Sequence, residues 1–402
     1  MSNNYYAASD LGNDTVKINI NHENFMVPSV IGDANNNEKV TFMNKEEQDN
    51  YMRHFFDHLE ATVTSASIKS QGHYLIGQAA INSRVTPRRF DINNFSFKSE
   101  DDLSLILNLV LLAGKRVKDA YFNHEDLAQL KLNVYLATAL PIREGKQAGV
   151  IKHYRDKYLQ NDHIVTFDNF KNPISVSLHF IKVIVGLEGQ AAQLALTNSA
   201  TVYPKLADLL LKDFKAHYNA PNITIDNIIS ASNIMGIDIG GKTVDLPVFM
   251  NGEANTNVSD SSLKGYDSVL QAAITDLQNH MRNFDNIGQL ESYLASGANP
   301  FDPSSYEQVL EIVKDNSSDL VQSILDSVSK IMREANLNPD IVFVYGGGSI
   351  PLNTDTDLRT KLGEKLSSFN GNNQIPIIWV DKTYAQKLNE LGLELYLGLL
   401  QK

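Results

Sequence analysis

Two short stretches decide how this chain is read: Asp10-Leu-Gly-Asn-Asp-Thr15 near its start and Asp238-Ile-Gly-Gly-Lys-Thr243 past its middle. Each follows an apolar approach, Tyr5 to Ala8 or Ile234 to Ile237, and runs into a second strand-like segment, Val16-Lys-Ile-Asn-Ile20 or Val244-Asp-Leu-Pro-Val-Phe249. Apolar runs bounded by glycine turns spell strand, turn, strand. The two turns lie 228 positions apart (238 minus 10). Such self-similarity predicts two related halves facing each other, with the cleft between them as the expected ligand site.

Glycine at positions 12, 240 and 241 lets backbone N–H groups approach phosphate oxygens closely. Asp10 and Asp238 precede the turns and would place two carboxylates near those phosphates, where Mg²⁺ can bridge them, largely through water. Lys17 can return a positive charge to the same phosphates. The stretch Gly236-Ile-Asp-Ile-Gly-Gly-Lys242-Thr243 also satisfies G-x-x-x-x-G-K-T, the spacing of a P-loop. A P-loop opens a helix, whereas Thr243 precedes apolar and β-branched residues with Pro247 among them, and Asp238 would stand inside the phosphate cradle. The string reads as a decoy.

The rest of the chain fits a large α/β protein. Its 402 residues allow two or three domains, and 43% apolar with 20% charged content describes a folding chain rather than a disordered one. With 35 Lys and Arg against 47 Asp and Glu, the net charge of −12 offers no positive field for DNA, so direct nucleic-acid binding is not expected. The absence of cysteine removes disulfides and thiolate sites and fits a reducing cytosol. The start, MSNNYYAASD, has no secretory pattern. The most apolar run, Leu103 to Ala113, is shorter than the ~20 residues of a membrane span and predicts a buried helix. Strands are predicted over Lys131–Thr138, Ile164–Phe167, Ser175–Val185, Ile341–Tyr345 and Ile375–Val380. Helices are predicted over Ala191–Phe214, Tyr266–Met281, Ile287–Leu294, Tyr306–Ala335 and Tyr384–Leu400. Residues 21–100 look like an inserted subdomain with irregular loops.

Taken together, these motifs resemble the actin, Hsp70 and sugar-kinase superfamily, and within it the bacterial actin-like ParM family of plasmid-segregation proteins. Asp10-Leu-Gly-Asn-Asp-Thr-Val-Lys17 is similar to the first phosphate motif, with Gly12, Asn13, Asp14, Thr15 and Lys17 as nucleotide contacts. Asp238-Ile-Gly-Gly-Lys-Thr-Val-Asp245 is similar to the second, with Gly240, Gly241, Lys242 and Thr243. Tyr345-Gly-Gly-Gly-Ser-Ile350 resembles the adenosine motif, which puts Gly346, Gly347, Gly348 and Ser349 against base and ribose. Leu136-Ala-Thr-Ala-Leu-Pro141 resembles a strand end of ParM-like chains. The family's hydrolytic Glu or Gln follows a strand, and Ile181-Lys-Val-Ile-Val-Gly-Leu-Glu188-Gly-Gln190 has that form. The role falls on Glu188, with Gln190 competing; Asp10 and Asp238 complete the catalytic set.

The resemblance implies an actin-like two-lobed fold of duplicated ribonuclease-H-like domains. Domain I covers 1–195 with its insertion near 21–100, and the terminal helix 384–402 packs back on it. A helical linker comes next at 196–230, then domain II at 231–383 with a helical subdomain near 262–336. It further implies ATP as cofactor, with GTP the competing nucleotide, Mg²⁺, head-to-tail self-assembly, a small DNA-binding adaptor of ParR type, a cytoplasmic location and no membrane. The alternatives are a small-molecule kinase of the same superfamily, for which no catalytic Gly-Asp motif is found, and a nucleotide-gated scaffold. The chain departs from the pattern in the 50 residues separating Glu188 from Asp238 (238 minus 188), whose surplus is Leu194 to Ile225, and in Asn13, where Ser or Thr is usual.

Overall fold

The first glycine turn joins β1 (Asn4–Leu11) to β2 (Thr15–Ile20), an antiparallel pair in which Asp10 lies opposite Lys17. The computed structural model describes residues 3–34, 39–90, 97–280, 282–334 and 338–400. The chain divides into two units, Met1–Ala191 with Asn389–Lys402, and Ala192–Leu388.

In the first unit the remaining strands are β3 (Glu23–Pro28), β4 (Val30–Asp33), β5 (Glu60–Thr64), β6 (Gly72–Ile76), β7 (Arg88–Arg89), β8 (Gln129–Leu140), β9 (His163–Phe167) and β10 (Ile174–Leu187). Among the described residues they form one ten-stranded sheet, ordered β3-β2-β1-β8-β10-β9-β5-β6-β4-β7. β1, β8 and β10 run parallel at its centre. β8 alternates buried and exposed residues at first and is wholly buried at its end, as a strand entering a sheet covered on both faces must be. One cover is the helix Asp102–Phe122, which contains the Leu103–Ala113 run, every residue of it buried. No helix of the described residues is long and apolar enough to cross a membrane. Leu393, Leu397 and Leu400 of the helix Leu388–Leu400 pack on Ala8, Ala137, Ala139 and Ala191. That approach is so close that a Cβ on Gly392 would lie 1.8 Å from the Ala191 carbonyl oxygen.

The second unit repeats the central topology. Its strands are β11 (Ile234–Ile239), β12 (Val244–Leu246), β13 (Val248–Met250), β14 (Glu253–Ala254), β15 (Asp260–Ser262), β16 (Ile341–Tyr345) and β17 (Ile377–Trp379). β12 and β13 both pair antiparallel with β11, interrupted at Pro247, while β16 and then β17 continue in parallel on the other side. The arrangement of β12/β13, β11, β16 and β17 therefore matches that of β2, β1, β8 and β10.

Several elements differ from the sequence reading, each for a local reason. The stretch 21–100 is more regular than expected and supplies β3 to β7, whose two to six residues are too short to show a clear period. The tract 191–214 is broken into Gln190–Thr197, Ser199–Val202 and Pro204–His217, because Pro204 fits only the first turn of a helix. The tract 306–335 ends one helix at Asp315 and restarts at Ser318. There Asn316 and Ser317 turn their side chains back on the Ile312 and Val313 carbonyls. Met281 and Ala335, expected as helix ends, lie outside the described residues.

The surplus segment 194–225 has a definite packing role. β17 is an edge strand, whose free N–H groups would otherwise offer a template for pairing. The Trp379 N–H donates to Asp213 at 2.9 Å and the Ile377 N–H to the Tyr218 hydroxyl at 2.7 Å, both partners coming from the Pro204–His217 helix and its cap. Arg359 donates to both oxygens of Asp213, at 3.2 and 2.8 Å. Removing the carboxylate leaves a largely buried guanidinium without its counter-charge and the Trp379 N–H without its acceptor. Asp213→Ala is therefore expected to lower unfolding free energy by about 3 kcal/mol in urea titrations, against less than about 0.5 kcal/mol for exposed Lys215→Ala.

Candidate functional site

In the first unit the turn after Asp10 is pinned by a residue that its sequence surroundings do not single out. Ser29 is fully buried; its hydroxyl donates to the Gly12 carbonyl at 2.6 Å and its N–H to the Asp14 carbonyl at 2.8 Å. Asp10 is buried at the end of β1, with Lys17 directly across the pair, so opposite charges share one face of the hairpin. Asn13, Asp14 and Thr15 are partly exposed. The Asn13 amide oxygen is itself buried and accepts no hydrogen bond, an acceptor that a bound water, cation or ligand donor would satisfy.

Glu188 comes directly after β10. Its N–H donates to the Leu140 carbonyl at 2.9 Å, extending the β8–β10 ladder by one residue. Its carboxylate lies 3.2 Å from the ammonium of Lys98, which also donates to the Leu11 carbonyl at 2.7 Å. The residue expected from the sequence is thus tied to the base of the first turn. Gln190 instead opens the helix Gln190–Thr197, two residues beyond and across Gly189 in the left-handed region. Glu144, from the short helix after Leu140-Pro141, accepts the N–H groups of Lys98 and Ser99 at 2.8 and 3.0 Å. Burial works against the Lys98 charge, but Glu188, Asp10 and Glu144 outweigh it and hold its pKa above the ordinary lysine value.

In the second unit the turn at Gly240 and Gly241 is closed by the Gly240 N–H donating to the Thr243 carbonyl at 2.8 Å. Its outer carbonyls accept the first N–H groups of the helix Tyr266–Asn279, Tyr266 to Gly240 at 3.0 Å and Asp267 to Gly241 at 2.7 Å. Lys242 and Thr243 are partly exposed on the turn. Thr243 leads into strand β12 and not into a helix, so the P-loop spacing is a coincidence of sequence. Asp238 stands opposite Asp245 across β11 and β12. Thr243 and Ser261 donate hydroxyls to the Asp245 carboxylate at 3.0 and 2.5 Å. Like charges directly opposite in a sheet repel, an arrangement that a nearby cation relieves. Burial and these two carboxylates drive the Tyr345 phenol well above its ordinary pKa.

Gly346, Gly347 and Gly348 come after β16, which runs beside β11 with Tyr345 in register with Asp238. Gly346 is held at φ +90°, and a Cβ there would sit 2.4 Å from both Asp238 Oδ1 and the Ile239 carbonyl oxygen. The glycine run is thereby locked against the second hairpin, with the Gly348 N–H donating to the Ile239 carbonyl at 2.8 Å. Ser349 is fully buried and spends its hydroxyl on the Gly346 carbonyl at 2.7 Å, so its side chain shapes the turn. Trp379 anchors the same turn through an indole N–H to the Ser349 carbonyl at 3.0 Å.

Each unit thus brings together its own expected residues: Asp10 through Lys17 with Glu188 in one, Asp238 through Thr243 with Gly346 through Ser349 in the other. Each presents a carboxylate at the end of a central strand beside a tight glycine turn. Among the described residues no three His, Cys, Asp or Glu side chains gather to cage a metal. A single carboxylate beside a glycine turn is the kind of ligand that Mg²⁺ takes, since it keeps several waters and binds one or two carboxylates together with substrate phosphates.

Residues 8–190 match the family described as actin like proteins N terminal domain. Among curated proteins no sequence matches. Among solved structures the chain is similar to the actin-like protein Alp7A, at 16% identity and TM-score 0.69 over 99% of this chain and 97% of that one. It is similar to Bacillus thuringiensis ParM with ATP at 16% identity and TM-score 0.61 over 100% of both chains. An archaeal actin homologue, Ta0583, matches at 14% identity and TM-score 0.60 over 98% of this chain and 99% of its own. At such identities the likeness establishes the fold.

Two substitutions test the turns. Gly346→Ala must move Asp238 or the backbone at Ile239 and is expected to cost about 2–3 kcal/mol on urea unfolding. Ser29→Ala frees the Gly12 carbonyl and should cost about 1–2 kcal/mol by the same measurement.

Proposed function

With an actin-like N-terminal domain at residues 8–190 and an actin-like fold along its length, we propose that this actin-like protein is an ATPase whose nucleotide-driven, head-to-tail filaments segregate plasmid or phage DNA. The observation that carries the reading is the repeated hairpin: each unit sets an acidic residue, Asp10 or Asp238, at the end of a buried central strand with a glycine turn immediately after it. The structures of Bacillus thuringiensis ParM with ATP, ADP and AMPPNP support a nucleotide as the ligand.

In this reading the backbone N–H groups around Gly12, Gly240 and Gly241, with Asn13, Asp14, Thr15, Lys17, Lys242 and Thr243, hold the phosphates. Gly346, Gly347 and Gly348 give base and ribose a side-chain-free surface. Asp10 and Asp238 would hold Mg²⁺ largely through water, and the cation would supply charge neutralisation at the phosphates. The Glu188 carboxylate orients the attacking water and accepts its proton, while positioning and electrostatics account for most of the rate. Lys98 favours Glu188 over Gln190, since it fixes that carboxylate beside the first turn. Assembly is a heterologous contact that repeats without closing, and hydrolysis loosens it. The resemblance to ParM-like proteins adds a small DNA-binding adaptor of ParR type as the link to DNA, with which a net charge of −12 agrees.

ATP with Mg²⁺ should convert the purified chain into sedimentable polymer, and Asp238→Ala should abolish it; a wild-type chain that never scatters light or pellets contradicts the filament reading. Glu188→Ala should keep assembly but slow phosphate release about 100-fold, and an unchanged rate moves the role to Gln190. Lys242→Ala should weaken ATP binding by only about threefold, in the range of an exposed charge contact. Complete loss of binding would return the P-loop to consideration.

A further inference from the structure

Lys98 is almost completely buried, yet nothing in its sequence surroundings marks it for chemistry. A buried ammonium is costly unless its partners are fixed. Here the whole residue is held. Its N–H donates to Glu144 at 2.8 Å, and its carbonyl accepts the Ser104 hydroxyl at 2.6 Å. The Phe90 ring lies 5.7 Å from the ammonium. The helix Asp102–Phe122, which starts four residues later (102 minus 98), is itself fastened to β1 beside Asp10: the Ser9 hydroxyl donates to Asn108 at 2.6 Å, and Asn108 donates to Tyr158 at 2.9 Å. The ammonium therefore cannot swing out to solvent as lysines usually do. The groups it reaches belong to the candidate site: the Leu11 carbonyl, one residue before Gly12, and the Glu188 carboxylate.

We propose that Lys98 is a positioning residue for hydrolysis: it ties the Glu188 carboxylate to the Leu11 carbonyl, so that the water-orienting group is aimed at phosphates bound by the first glycine turn. This rests on the proposed role of Glu188. The same cation also offsets the charge of Asp10 and Glu188, two carboxylates that would otherwise oppose the approach of a polyphosphate. A pair serving stability alone is replaceable, since buried ion pairs can often be exchanged for apolar side chains with no loss. A pair that aims a carboxylate is not, because a misplacement of ~1 Å in a reacting group costs on the order of 100-fold in rate.

The test uses the full chain with ATP and Mg²⁺, measuring phosphate release, KM for ATP and thermal unfolding for wild type, Lys98→Met, Lys98→Arg, Glu188→Gln and the Lys98→Met/Glu188→Gln pair. Lys98→Met is expected to lower kcat about 30- to 100-fold with KM changed less than about threefold. The double variant should be no slower than Glu188→Gln alone, because Lys98 acts through that residue. Lys98→Arg keeps the charge and the fold but sets it on a broader group, so its kcat should also fall. If Lys98→Met does not fold, Lys98→Arg decides: a wild-type kcat there makes the lysine a structural charge only and overturns the proposal. Hydrolysis by wild type, slowed in Glu188→Gln but unchanged in folded Lys98→Met, overturns this inference alone. No hydrolysis by wild type, or an unchanged rate in Glu188→Gln, overturns the reading of Glu188 and this inference with it.

Discussion

A carboxylate at the end of a buried central strand, followed at once by a turn with little room for a side chain, is the constraint on which the rest depends. At Gly12 an added Cβ would stand 2.5 Å from the Thr15 carbonyl oxygen, and at Gly240 it would stand 3.1 Å from that of Thr243. The turns are therefore narrow loops of backbone beside a negative charge. Such an arrangement is unfavourable without counter-charge. In the first unit Lys17 across the hairpin and Lys98 beneath it supply that charge. In the second, Asp238 faces Asp245, whose carboxylate accepts the Thr243 and Ser261 hydroxyls.

The surrounding fold fixes these turns. Parallel strands β8 and β10 flank β1, and β16 and β17 flank β11, so each acidic strand end lies in the middle of its sheet. The sheet then determines which later residues meet it. Glu188 continues the β8–β10 ladder, Glu144 comes from the turn after Pro141, and the glycine run after β16 abuts Asp238. Outlying elements protect this centre, as the Asp213 helix does by covering the edge of β17.

Legibility in the sequence tracked the range of the interaction. The hairpins and the glycine run were visible because their pattern is carried by adjacent residues, Glu188 was singled out only through the family resemblance, and the repeat announced the duplication of topology. Ser29 and Lys98 were not visible, because each acts across a long sequence separation, 17 residues from Ser29 to Gly12 and 90 from Lys98 to Glu188. Strands β3 to β7 were missed because, at two to six residues, they are too short to show a clear period. Helix breaks near 203 and 316 overrode an unbroken apolar period, the first because Pro204 has no N–H to give and the second through side-chain hydrogen bonds of Asn316 and Ser317.

In the proposed reading, nucleotide binding at the acidic hairpins changes how copies of the chain associate. Electron microscopy of the purified protein with Mg²⁺, compared with and without ATP, tests that claim most directly. The account predicts extended filaments with ATP and dispersed particles without it; dispersed particles under both conditions would contradict it.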